Sequence, residues 1–332
     1  MNRLNYTIAI AFLLNILTGV ALNAQTFTVA LQCEHLEAPI GVDSRHPRLS
    51  WQMEDSSSGA AQIAYQVLVG VDSVQLTKNP SVWNSGKVLS SANMITYTGK
   101  ALQPSTKYYW LVRTWNRAGV KPPDSRITTF ETGLMSMDNW KGSWISDQGS
   151  INTLPAPYFR KTFNATKKIR SARAYIAVGG LYELYINGEK IGNHRLDPMY
   201  TRFDRRTLYV SYDVTSQLQQ GKNAVGVLLG NGWYNMQSLA VWDFDRAPWR
   251  NRPTFCMDLK INYDDGTTVI VPTDDSWKTH ASPITFNSIY TGEHYDSRLE
   301  LPGWNTADFD NKDWNEVILR AAPSKQIVSQ VM

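Results

Sequence analysis

Short runs of alternating apolar and polar residues, each broken after a few positions by Gly, Ser, Pro or Asn, recur from Phe27 almost to Met332, and no long stretch keeps a 3.6-residue period. Tyr65-Gln-Val-Leu-Val69 and Tyr109-Trp-Leu-Val-Arg-Thr-Trp115 are examples in the first third of the chain. A period of two puts alternate side chains on one face of a strand, so the sequence predicts an all-β protein with few, short helices. One such helical turn is expected near Val214 to Gln219, where Asp213 or Thr215 supplies a cap.

At 332 residues the chain is long enough for about two domains, each burying its own core. Residues 27–134 read as a first β-sandwich. The segment Gly133 to Trp144, with Met135, Ser136 and Met137, breaks the pattern and marks a boundary. Beyond it, Ala174-Tyr-Ile-Ala-Val178 and Leu181-Tyr-Glu-Leu-Tyr-Ile186 lead into an Asn187-Gly188 turn, the strongest short hairpin signal because both residues tolerate positive φ. A second hairpin is expected where Leu259 to Tyr263 and Thr267 to Val271 flank Asp264-Asp265-Gly266. Residues 140–322 read as one larger sandwich of jelly-roll type. Residues 323–332, including Gln326-Ile-Val-Ser-Gln330, read as the start of a following domain, with a strand that lacks a partner.

Residues 1–24 have the pattern of a secretory signal: Arg3, an apolar run from Ile8 to Leu17, and Leu22-Asn23-Ala24 before Gln25. That run is too short and too interrupted for a membrane span, so a secreted or periplasmic protein is expected. The net charge of +4 with dispersed Lys and Arg gives no basic stripe for nucleic acid. Cys33 and Cys256 show no metal or redox spacing.

Two features in the first domain carry a resemblance. Leu102-Gln-Pro-Ser-Thr-Lys-Tyr108 before the aromatic strand, with Trp51 in an early strand, is similar to the tyrosine corner of fibronectin type III domains, where the Tyr hydroxyl bonds upstream backbone. A longer ordered set resembles the N-terminal region of bacterial α-L-rhamnosidases. It comprises Leu36-Glu-Ala-Pro-Ile-Gly-Val-Asp43, Pro47-Arg-Leu-Ser-Trp51, Gly180-Leu-Tyr-Glu-Leu-Tyr-Ile-Asn-Gly188, Asp213-Val-Thr215, Gly221-Lys-Asn-Ala-Val-Gly226, Leu229-Gly-Asn-Gly-Trp-Tyr234, Ile289 to Arg298 and Gly303-Trp304. The resemblance implies a fibronectin type III-like spacer and a jelly-roll domain from an enzyme that removes terminal α-L-rhamnosyl residues with inversion. In that family a six-hairpin α/α barrel holds the catalytic carboxylates, and that region is missing from this sequence. The resemblance therefore implies an N-terminal non-catalytic part whose partners are the barrel and a rhamnose-containing glycan. Some members bind sugar in the second domain with a calcium ion, which leaves calcium open here.

For sugar contact, the residue types single out Asn231, Trp233 and Tyr234 within Gly230-Asn-Gly-Trp-Tyr234, and Trp242 and Asp243 in the following aromatic loop. Flat rings stack on pyranoses and amides bond their hydroxyls; equally, such rings plug a core or cover a neighbouring domain. Glu293, His294, Asp296, Arg298 and Glu300 are the densest titratable group. Residues three apart on a strand face opposite ways, so an ion-paired edge is the expectation there rather than a glycosidase pair. His35, His46, His194 and His280 read as isolated. The rival functional readings are a stand-alone secreted carbohydrate-binding protein and a structural adhesion module without ligand.

Overall fold

A computed structural model of the chain describes residues 26–239 and 241–330. The expected signal segment, residues 1–24, lies outside the described residues. The described chain is all-β, with helical geometry confined to short 3-10 turns; one, Thr215–Gln217, lies where expected, with Asp213 Oδ1 accepting from the Thr215 N–H at 3.0 Å.

In the first domain, strands Phe27–Cys33, Arg48–Glu54 and Met94–Thr96 form one sheet. The facing sheet runs in the order Ile40–Val42, Thr128–Thr132, Lys107–Asn116, Gln62–Gly70 and Trp83–Asn84. Alternation sends Tyr108, Trp110 and Val112 inward from one strand, where they meet Trp51 of the other sheet. The Trp51 indole N–H donates to Gln62 Oε1 at 2.8 Å, whereas the Trp110 indole nitrogen, buried in the same core, has no partner among the described residues. The Gln103 N–H donates to the Tyr108 hydroxyl at 2.7 Å, which completes the corner that the sequence suggested.

The second domain is a larger sandwich whose successive strands cross between two sheets. One sheet has the order Ile318–Leu319, Ile145–Ser146, Thr254–Tyr263, Ile169–Gly179, Thr207–Asp213 and Ile327–Ser329, with Thr268–Pro272 also pairing Thr254–Tyr263. The other runs Glu189–Lys190, Leu181–Ile186, Gly221–Gly230, Pro157–Ala165, Lys278–Ala281 and Asn315–Glu316. Both expected hairpins form: Ile186 pairs Glu189 across Asn187 and Gly188, at φ of 50° and 90°, and Asn262 pairs Thr268 across the Asp-Asp-Gly turn. Phe159, Leu184, Val225 and Val227 pack against Ile176, Val178, Phe255 and Met257 in the core.

The tail corrects one expectation. Ile327–Ser329 does not lack a partner; it lies parallel to Thr207–Tyr209 at the edge of the second domain's own sheet. Parallel pairing joins segments far apart in sequence, and no local turn signal announces it.

Strand Ile169–Gly179 is buried on both faces from Ala172 onward, because the outer side of its sheet is covered as well. Tyr175, Ala177, Tyr209 and Cys256 pack there against Leu134, Trp144 and Ile327. The first domain docks on this surface. Arg173 makes a two-pronged bond to Glu131, at 2.6 and 2.7 Å, with both side chains largely out of solvent. Asp43 accepts from the Met135 N–H, the Ser329 N–H and the Tyr209 hydroxyl, so one carboxylate ties together the first domain, the linker and both strands at the sheet's edge. Gly133 passes so close that a Cβ there would sit 1.9 Å from the Tyr209 hydroxyl oxygen.

Candidate functional site

The candidate site is the end of the larger sandwich where three loops bring aromatic rings together. Strand Gly221–Gly230 runs out into a tight turn, with Tyr234 and Asn235 N–H groups donating to the Asn231 carbonyl. Gly232 makes the turn, at φ 50°, and a Cβ there would lie 2.8 Å from Leu181 Cγ. Asn231 fixes the turn to strand Ile284–Ser288: its N–H donates to Asn287 Oδ1 at 2.7 Å and its side-chain amide to the Asn287 carbonyl at 3.0 Å. Asn235 then donates to Asn231 Oδ1 and accepts from Arg250 Nε. Beneath the loop, the polar groups are therefore bonded mainly to one another. Among the described residues, Asp245 Oδ1 and Asn287 Nδ2 are buried there without a partner.

Above this frame Trp233 lies at 5.1 Å from Phe244, 5.5 Å from Tyr290 and 5.8 Å from Tyr200, ring centre to ring centre. Phe244 also meets Trp249 and Trp242, and the Trp249 indole N–H donates to the Trp233 carbonyl at 3.2 Å. The five residues that the sequence singled out divide. Asn231 is 1 % exposed, with its amide held by Asn235 and Asn287; Tyr234 points inward against Phe203 and over Gly179, and burial pushes its hydroxyl up to about 12. Trp233 is half-buried in the ring cluster. Trp242 and Asp243 are exposed, Trp242 at 79 %, on backbone with φ of 66° and 55°. Tyr200, Phe203, Asn287 and Tyr290 belong to the same end and were not singled out, since they come from separate loops that only the fold assembles.

The densest titratable group lies on the hairpin that supplies Asn287 and Tyr290 to this end, Ile284–Ser288 and Gly292–Tyr295, and on the turn after it, with Glu293 paired across the strands with Asn287. Glu293, His294 and Glu300 are exposed, and Asp296 is held by Arg298 at 2.6 Å, which keeps its carboxyl below the usual range. A general acid needs the opposite shift. Two carboxyl groups are raised by burial, Asp43 and Asp258, and both are occupied in the frame: Asp43 at the domain seam, Asp258 accepting from the N–H groups of Lys141 and Gly142. His194, which read as isolated, lies with Nδ1 3.2 Å from Asp197 Oδ2. Among the described residues no group of three or more His, Cys, Asp or Glu is gathered to hold a metal ion.

With this geometry in place, the comparisons with known proteins are specific. The family model described as the alpha-L-rhamnosidase N-terminal domain matches residues 167–332, and that of the Rha78A-like N-terminal immunoglobulin domain matches residues 28–136. The chain belongs to the α-L-rhamnosidase family. An alpha-L-rhamnosidase of Formosa agariphila is 35 % identical over 320 residues, covering 88 % of this chain and 33 % of the relative. One from an Alteromonas species is 35 % identical over 296 residues, covering 86 % and 32 %. Among solved structures, the alpha-L-rhamnosidase from Dictyoglumus thermophilum superposes with a TM-score of 0.84 at 41 % identity, covering 91 % of this chain and 35 % of that one. The chain thus spans about a third of the length of the curated relatives it matches. Both matched domains are N-terminal ones, so within the rhamnosidase family this chain corresponds to a non-catalytic N-terminal part.

Proposed function

We propose that the chain serves as the N-terminal β scaffold of a longer α-L-rhamnosidase, whose whole activity is removal of terminal α-L-rhamnosyl residues from rhamnose-containing glycans. The observation that carries this reading is the match of both domains to N-terminal rhamnosidase domains over a third of the relatives' length. The carboxylates support it. Inverting hydrolysis needs a raised acid and a partner base about 6.5 to 9.5 Å apart across an open site. Here the raised groups are locked in the domain seam and under the linker, and the half-buried Asp296 is ion-paired with Arg298. Export is part of the proposal, on Arg3 and the apolar run from Ile8 to Leu17.

The test is incubation of the pure chain with an aryl α-L-rhamnoside, following aglycone release. No release above buffer is expected. Release by the chain that is abolished in Glu293→Gln or Asp296→Asn would overturn the reading.

A further inference from the structure

Leu196, Met199, Tyr200, Leu239, Trp242 and Tyr290 are all large apolar side chains left in solvent, from 45 % exposed at Tyr290 to 83 % at Leu239. Elsewhere in the described chain exposed apolar residues such as Val74, Leu89 and Val120 come from separate first-domain loops and strand ends. At the ring cluster the aromatic three adjoin: Tyr200 and Trp242 both contact Phe244, at 5.8 and 6.4 Å, and Tyr290 contacts Trp233, while Leu196 and Met199 lie just before Tyr200 in the chain and Leu239 just before Trp242. Folded proteins seldom leave such a surface wet unless something covers it.

We infer that this apolar face is the seat of the polypeptide that follows the matched region in the longer α-L-rhamnosidases. The inference rests on reading the chain as an N-terminal scaffold. Three observations favour protein over sugar as the occupant. The face is built from three loops and includes aliphatic Leu196, Met199 and Leu239, which offer area but no flat ring for a pyranose. Of the side-chain amides below the rings, those of Asn231 and Asn235 are bonded to protein groups, and Asn287 Nδ2, which has no partner among the described residues, is buried away from solvent. Finally, Gln330 lies at the edge of the same face: its Oε1 accepts from the Met199 N–H at 2.7 Å and its Nε2 donates to Asp197 Oδ1 at 3.0 Å. A polypeptide that follows Gln330 in a longer chain therefore starts beside Asp197 and Met199. The occupant is accordingly a largely apolar protein surface carried by the downstream two thirds of the enzyme.

The experiment is hydroxyl-radical footprinting read by mass spectrometry. One sample is the free chain; the other is a chimera in which this chain replaces the matched third of the Formosa agariphila enzyme. Labelling of Met199, Tyr200, Leu239 and Trp242 is expected to fall about fivefold or more in the chimera, as for residues in the dry centre of an interface. Val74 and Leu89, 77 % and 80 % exposed on the first domain, serve as references and keep their labelling. Unchanged labelling of the four residues in a chimera that hydrolyses aryl rhamnosides would overturn the inference while leaving the scaffold reading intact. Protection of Trp242 in the free chain by millimolar L-rhamnose, without protection in the chimera, would also overturn it and make the face a sugar platform. Where the chimera fails to accumulate, the same comparison between the intact Formosa agariphila enzyme and its isolated N-terminal third, at the aligned positions, gives the decision. Hydrolysis by the free chain would instead defeat the underlying scaffold reading.

Discussion

The Tyr209 hydroxyl donates to Asp43 Oδ1 at 2.5 Å, across the seam between the two domains, and the same hydroxyl accepts from the Leu134 N–H at 2.9 Å. One phenol thus satisfies a carboxylate of the first domain and a backbone donor of the linker. Tyr209→Phe removes both bonds from a buried site and is expected to cost about 1–3 kcal/mol, the penalty of an unsatisfied buried polar group. Urea denaturation of the two proteins, followed by tryptophan fluorescence, measures it, and the loss should include earlier separation of the two domains' transitions.

Burial holds the Asp43 carboxyl above the ordinary carboxylate value, against the lowering pull of its Tyr209, Ser329 and Met135 donors. The folded protein therefore binds more protons than the unfolded one just above that value. Its contribution is fully present below the unfolded pKa and is lost as pH rises through the folded one. The stability of the wild type relative to Asp43→Asn should accordingly be more favourable at about pH 4 than at about pH 7. Melting temperatures of both proteins across that range check the sign; an opposite slope would contradict the burial argument.

Arg252 is 2 % exposed, with Nε and Nη2 on the two oxygens of Asp147 at 2.8 and 2.6 Å and further bonds to the Thr153 and Pro155 carbonyls. Arg252→Met leaves that carboxylate without its cation, and a cost of about 3–5 kcal/mol is expected. Adding Asp147→Asn should recover part of it. A double-mutant cycle in urea gives the coupling.

At the corner of the first domain, Tyr108→Phe strips the acceptor from the Gln103 N–H. The ring still stacks on Phe130 at 5.1 Å, so packing is preserved and the change isolates the hydrogen bond. A loss of about 1–2 kcal/mol in the first domain's transition is the expected outcome.

Trp242 sits at φ 66°, a conformation unfavourable for a bulky side chain, with its ring mostly in solvent. Trp242→Gly should leave the stability of the free chain unchanged or raise it by about 0–1 kcal/mol of relieved strain, with a melting temperature that does not fall. Calorimetry on the free chain reads this directly, and a clear drop would mean that the ring supports the loop.

What was readable in the sequence was what local chemistry decides. Asn187-Gly188 can hardly be anything but a hairpin turn, and Tyr108 follows its Pro104 at the spacing that the corner requires. The candidate site was readable only in part. Residue type brought out Trp233 and Tyr234 together, yet adjacent residues on a turn point different ways, and only packing against Gly179 and Phe203 decides that Tyr234 goes inward. Tyr200 and Tyr290 join Trp233 across separations of 33 and 57 residues, as their numbers show, and no local pattern encodes that. The same holds for Ile327–Ser329, whose parallel partner lies at Thr207–Tyr209.

Asp43 and Ser329 are 286 residues apart and meet directly. During synthesis the first domain emerges, and has the core to fold, long before Ser329 leaves the ribosome. Until then the carboxylate of Asp43 lacks one of its three donors, the Ser329 N–H, while Met135 and Tyr209 are already present. The seam therefore closes in stages: Arg173 with Glu131 and Tyr209 with Asp43 can form first, and the edge strand that arrives last adds the final bond to a joint already begun.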